Sequence, residues 1–271
     1  MLPLDQILAA LMFAGMIGFL FLGFPVAFSL TFTGLFFGGI AVALGLLQPN
    51  FFDILPLRIF GTMTNFTLLA VPLFVFMGVA LEKSGLAEEL LETMALLFGK
   101  LKGGIAISVV VVGAILAAST GIVGASVITM GLISLPTMLR RGYQKELICG
   151  TICASGTLGQ IIPPSVILIL LGDIMGVPVG DLYIGAVLPG LVLVALYITY
   201  LFILSHLKPE LAPPIPAAEL AAFRADALKR VTLALIPAFV LIVGVLGSIF
   251  AGIASATEAA SVGAVGGLIL T

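Results

Sequence analysis

A chain of 271 residues that is 61% hydrophobic and 9% charged, with a mean hydropathy of +1.33, cannot hide its apolar surface inside a globule of that size. Its solvent is lipid. A formal net charge of −2 without a basic patch argues against a nucleic-acid partner.

Met1-Leu2-Pro3-Leu4-Asp5 lacks the positive flank of a signal peptide, so the first apolar run, 6–22, reads as a membrane helix that stays. A second span, 26–47, follows after only Gly23-Phe24-Pro25, a breaker that turns the chain back at once. A third is expected at 60–81. Within it, Asn65 and Thr67 of "TMTNFTLLAVP" read as a polar helix entrance, with a substrate contact as the alternative. Residues 85–98, "GLAEELLETMALLF", put Glu88, Glu89 and Glu92 on one face and Leu90, Leu91, Met94 and Leu97 on the other. That pattern predicts an amphipathic helix along the membrane surface.

Residues 103–139 are too many for one span of about 20 residues and too few for two full ones. Lys100 and Lys102 precede them, and Arg140, Arg141 and Lys145 follow. Positive residues mark the cytoplasmic side, so the segment must enter and leave by the same face. It reads as a re-entrant helical hairpin whose turn is "ASTGIVGAS" at 118–126. From that anchor, 60–81 ends in the cytoplasm at Glu82-Lys83 and the N-terminus lies outside. Residues 147–171 then run outward, Asp173 and Asp181 lie outside, and 184–205 return. The proline-rich 206–230, with Lys208, Arg224, Lys229 and Arg230, is a cytoplasmic connector, and 231–250 form a further span.

Within 147–171, Gly156 and Gly159 loosen the helix of "SGTLGQIIPPS". Pro163 and Pro164 remove two backbone donors and strip partners from the carbonyls around Gly159 to Ile161, near mid-membrane. The hairpin tip offers the hydroxyls of Ser119, Thr120 and Ser126. Two sets of oxygens at similar depth suit a hard monovalent cation such as Na⁺. Proton coupling would call for an intramembrane carboxylate or histidine, and the spans hold none, Glu258 lying at the edge of an incomplete repeat.

The remaining small and polar residues have plainer readings. Gly113, Ala117 and Gly131 serve close helix packing, as do Cys149 and Cys153, which have no neighbours to complete a metal site. His206 belongs at a membrane interface. With the sole histidine outside the spans, no Ser–His pair exists at depth, and the chain is read as no enzyme. A channel or a non-transporting scaffold stays open as an alternative. The spacing of Gly23, Gly34 and Gly38 returns in Gly252, Gly263 and Gly267, after spans of opposite direction. This predicts an inverted repeat whose second copy only begins here, in a piece of a longer protein.

Four stretches together resemble the large membrane subunit of the TRAP (tripartite ATP-independent periplasmic) transporters, in the ion-transporter superfamily. They are "NFTLLAVPLFVFMG" at 65–78, "STGIVGAS" at 119–126, "RRGYQKELICGTICASGTLGQIIPPS" at 140–165 and "ATEAASVGA" at 256–264. The resemblance runs through the whole chain. It implies an all-α polytopic membrane protein of the inverted-repeat elevator type, with a re-entrant hairpin and a discontinuous helix. It also implies import of an organic acid, a C4-dicarboxylate, sialic acid or similar, driven by a sodium gradient across the bacterial inner membrane. The implied partners are a small four-helix membrane subunit and a periplasmic substrate-binding protein. Other sodium- or proton-coupled transporters of the superfamily are the alternative.

Carried onto this sequence, Ser119, Thr120, Gly124 and Ser126 match the hairpin tip, and Gly156, Thr157, Gly159 and Pro163 match the facing broken helix. Together these are the expected first sodium site. Ser119, Thr120, Thr157 and Ser165 are the expected substrate contacts. The family's second hairpin and second broken helix are absent from this sequence. The expected organisation is N-terminal scaffold helices over 1–83, the amphipathic surface helix over 84–102, and the re-entrant hairpin over 103–140. The discontinuous transport-domain helix follows over 141–173, then a transmembrane helix over 174–206, the connector over 207–230 and the start of the second repeat over 231–271, with a periplasmic N-terminus.

Overall fold

The computed structural model describes residues 3–120, 123–216 and 227–271, and the regular structure among them is helical, without a strand. The chain divides into two units, Met1–Asn65 and Phe66–Thr271.

The first unit holds α1 (Leu4–Phe21), α2 (Val26–Ala43), a 3₁₀ turn at Pro49–Asp53 and α3 (Ile54–Met63). Gly23, at φ +83°, makes the turn between α1 and α2, a left-handed conformation that favours glycine. Within α2, Thr31 donates to the Ala27 carbonyl and Thr33 to the Ser29 carbonyl, so these hydroxyls are satisfied inside their own helix. The span expected at 60–81 is interrupted. Helix α3 stops at Met63, and the chain resumes with a 3₁₀ turn at Thr67–Leu69 and then α4 (Ala70–Lys83). Pro72 lies in the first turn of α4, where a missing N–H is tolerated.

The second unit continues with α5 (Leu86–Leu97), α6 (Gly104–Thr120), α7 (Val123–Arg140), α8 (Lys145–Thr157), α9 (Val166–Met175), α10 (Val179–Leu207), α11 (Ala227–Phe250) and α12 (Ala256–Leu270). Helix α5 has the predicted amphipathic pattern, with Glu88, Glu89 and Glu92 exposed and Leu90, Leu91 and Met94 buried. Leu97 is exposed, contrary to the predicted apolar face. That face packs against α6 and α11.

Two buried cores organise the unit. One joins α5 to α8 with Leu201, Ala212 and Ile215, and the other joins α4, α9, α10, α11 and α12 around Phe74, Met77 and Tyr183. In the second core, α12 lies close against α4. A Cβ on Gly263 would fall 2.6 Å from Met77 Sδ, so the small residue admits the neighbouring helix. Gly252, at φ +68°, turns the chain between α11 and α12 as Gly23 does between α1 and α2. Ser255 and Glu258 form a reciprocal capping box at the start of α12, which gives that carboxylate a structural task.

Among the described residues four helices, α1, α2, α7 and α10, are long and apolar enough to cross a membrane. The chain has the helical make-up of a multi-pass membrane protein.

Candidate functional site

Helices α6 and α7 form the two arms of a hairpin, 17 and 18 residues long. At 1.5 Å per residue each arm is about 25–27 Å, a little less than a ~30 Å hydrocarbon core. The connector straps the two ends of the hairpin together. The Gly103 N–H donates to the Ala212 carbonyl at 3.0 Å, the Gln144 N–H to the Leu211 carbonyl at 3.0 Å, and the Ile215 N–H to the Gly99 carbonyl at 2.9 Å. Ser205, near the end of α10, donates to the Lys102 carbonyl at 2.8 Å. The start of α6, the end of α7 and the end of α10 therefore meet at one end of the unit. Tyr143 is buried at the same place. Its phenol has no formed hydrogen bond but faces the Ile105 and Ala106 N–H groups, and burial pushes its pKa up to about 12.

Both arms close on α8 at adjacent residues. A Cβ on Gly113 of α6 would lie 2.6 Å from Ser155 Cβ. A Cβ on Gly156 would lie 2.3 Å from Val127 Cγ2 of α7 and 3.0 Å from its backbone. Only glycine lets the backbones approach this closely, so Gly113 has the predicted packing role and Gly156 marks the crossing of α7 over α8.

The helix ends one residue later. A 3₁₀ turn at Leu158–Gln160, in contact with α6 and α7, leads through buried Pro163 and Pro164 to Ser165, which precedes α9 in an extended conformation. The break falls where the double proline predicts it. Residues 163 and 164 would supply the helical donors to the carbonyls of 159 and 160, and proline has none. The Gln160 carbonyl instead accepts from the Ser165 hydroxyl at 2.8 Å. The Ser165 carbonyl accepts from the Tyr183 hydroxyl of α10 at 3.3 Å.

The predicted site residues separate into three groups. Ser126, Gly156, Gly159, Pro163 and Ser165 are buried around the crossing and the break. Gly124 and Thr157 are exposed, and the Thr157 hydroxyl donates to the Ala154 carbonyl at 2.8 Å while keeping oxygen lone pairs. The side chains of Ser119 and Thr120, with Gly121 and Ile122 of the tip and the packing residue Ala117, lie outside the described residues.

Some features went unread in the sequence. Thr129, on α7, donates to the half-buried Glu82 carboxylate at the end of α4. An acidic residue in the last turn of an apolar helix resembles an ordinary interfacial charge, so nothing announced this partner. Tyr183 carried no motif. Thr67 lines a cavity of about 500 Å³ with Asp173, Ser255 and Thr257, and the Thr257 hydroxyl donates to the Phe66 carbonyl at 2.8 Å. Cys149 and Cys153 are exposed on α8 and do not pack in this unit, contrary to expectation. Among the described residues no cluster of His, Cys, Asp and Glu could hold a metal ion. His206 is exposed, its Nδ1 3.1 Å from the Phe202 carbonyl.

A helical hairpin closed on a discontinuous helix, in a chain with apolar helices of membrane length, fits a polytopic membrane protein. A family model for the DctM component of the tripartite ATP-independent periplasmic transporter matches residues 13–271, and the chain belongs to this family. It is 33% identical over 261 residues to the C4-dicarboxylate TRAP transporter large permease protein DctM of Vibrio cholerae, covering 94% of this chain and 54% of that protein. With the DctM of Pseudomonas aeruginosa the identity is 32% over 225 residues, covering 83% of this chain and 51% of that protein. The sialic acid TRAP transporter large permease protein SiaM of Vibrio cholerae is 29% identical over 257 residues, covering 94% and 57%. The chain thus spans about half the length of these curated relatives. Their agreement bears out the resemblance read from the four motifs and, since they are permeases, the reading as a non-enzyme.

Proposed function

We propose that the chain is part of the large permease subunit of a sodium-coupled TRAP transporter in the bacterial inner membrane. The transporter imports an organic acid, a C4-dicarboxylate, sialic acid or similar, that a periplasmic binding protein delivers, and the subunit works beside a small four-helix membrane subunit. The observation that carries this reading is the closure of both hairpin arms on adjacent residues of α8, Ser155 and Gly156, immediately before the break. That placement supports a cation site built from the tip (Ser119, Thr120, Gly124, Ser126) and the break (Gly156, Thr157, Gly159, Pro163), with Ser119, Thr120, Thr157 and Ser165 toward the substrate. Elevator movement of hairpin and broken helix past the remaining helices then carries ion and acid together. The periplasmic N-terminus follows from the positive residues at both hairpin ends.

Sodium binding to the full-length protein, followed calorimetrically, tests the site. Ser126→Ala should weaken it and leave potassium without effect; equal heats from both ions would remove the cation assignment.

One observation favours the proton-coupled alternative: Glu82 brings a half-buried carboxylate into direct contact with the hairpin arm through Thr129. In the full-length protein, Glu82→Gln separates the two readings. Sodium coupling predicts uptake that still follows the sodium gradient, and proton coupling predicts uptake that no longer responds to a pH gradient.

A further inference from the structure

A groove of about 470 Å³ opens between α6, α8 and α10 at the end of the unit where the connector straps the hairpin. Its floor is apolar, formed by buried side chains that include Val110 and Leu201. Its mouth carries two exposed charges of opposite sign, Glu146 in the first turn of α8 and Lys208 just past the end of α10. Tyr200, 61% exposed, lines the same groove about 12 Å back along α10 from Lys208, on the apolar stretch of the helix. Because α10 is long enough to cross the bilayer, its end and Lys208 lie where lipid headgroups lie.

An apolar floor in a groove that also carries one positive and one negative side chain is complementary to a molecule with an acyl chain under a zwitterionic head. We propose that this groove binds an aminophospholipid of the phosphatidylethanolamine type. Lys208 takes the phosphate, Glu146 takes the primary ammonium, and one acyl chain lies along the floor between α8 and α10. An anionic lipid without the amine would seat its phosphate on Lys208 and offer Glu146 no cation. A soluble acid would leave the apolar floor wet. The inference needs only that α10 spans the membrane and is independent of the transported substrate.

Gly150 lines the same groove, and a Cβ there meets nothing within 4 Å, so a bulky side chain enters the groove without a backbone clash. The test uses the full-length protein reconstituted with phosphatidylethanolamine or with phosphatidylglycerol, with retained lipid counted by native mass spectrometry. The wild type should retain phosphatidylethanolamine in preference. Gly150→Phe should lose it. Glu146→Gln, a surface change that leaves the fold in place, should reduce the preference by about fivefold, the scale of one exposed charge pair. Lys208→Gln should weaken retention of both lipids. A photoreactive p-benzoylphenylalanine in place of Tyr200 should crosslink to lipid. Equal retention of the two lipids by the wild type, an unchanged preference in Glu146→Gln, or crosslinking of position 200 to protein alone would overturn the proposal.

Discussion

The Tyr183 hydroxyl donates to the Ser165 carbonyl at 3.3 Å from a fully buried ring, joining α10 to the residue on which the broken helix restarts. Ser165 is held a second time by its own hydroxyl on the Gln160 carbonyl. The loop of the break is therefore braced at both ends. Tyr183→Phe removes one brace and should lower stability by about 0.5–1.5 kcal/mol. Tyr183→Leu also opens a void and should lower it further. Thermal unfolding of the full-length protein in detergent reads both, and unchanged midpoints in the pair would mean that the break needs no support from α10.

Gly156 is the tightest crossing of hairpin on broken helix, and the clash of a Cβ with Val127 includes backbone atoms. Gly156→Ala should therefore force the arms apart, costing about 1–3 kcal/mol, the range for overpacking. Gly131→Ala is the matched control on the same face of α7, because its Cβ would sit at an ordinary 4.0 Å from Ile152. Thermal unfolding of the full-length protein in detergent should show a lowered midpoint in Gly156→Ala and an unchanged one in Gly131→Ala. Equal midpoints in both variants would contradict the close approach.

Tyr143 gives a pH dependence with a definite sign. Burial holds its pKa in the folded state at about 12, above the ordinary 10 of an unfolded chain, so between those values the folded state binds more protons. Stability is complete below about pH 10 and falls as pH rises toward 12, by an amount on the order of 2–3 kcal/mol. Tyr143→Phe should remove that part of the alkaline loss. Unfolding midpoints of the two proteins from pH 8 to pH 11 check it, and parallel curves would show that the phenol stays accessible to solvent.

Much of the arrangement was legible because lipid makes backbone satisfaction compulsory, which leaves strong marks in a sequence. The double proline at 163–164 located the break, and charges flanking 103–139 were read as putting its ends on one side of the membrane; the hydrogen bonds of Leu211, Ala212 and Ile215 bring those ends to one end of the unit. The end of α3 at Met63 was not legible. No glycine or proline occupies Thr64-Asn65-Phe66, and the local signs were the polar entrance read at Asn65 and Thr67 and Pro72 in the first turn of the new helix, neither of which forces a helix to end. Partnerships such as Glu82 with Thr129 and Tyr183 with Ser165 join residues far apart in sequence, and no periodicity within one helix encodes them. The exposure of Cys149 and Cys153 has the same origin, since helix spacing alone does not say which face of α8 the hairpin covers.

The central claim is that the hairpin tip and the facing break couple sodium to the entry of an organic acid. The most direct measurement is uptake of the acid into proteoliposomes containing the full-length large subunit, its small subunit and the loaded binding protein, as a function of an inward sodium gradient. Accumulation should require sodium. Ser119→Ala or Thr120→Ala should raise the sodium concentration for half-maximal uptake by about 5- to 150-fold, for the ~1–3 kcal/mol of one lost hydroxyl contact. Accumulation that proceeds equally in potassium, or a sodium dependence untouched by either substitution, would contradict the account.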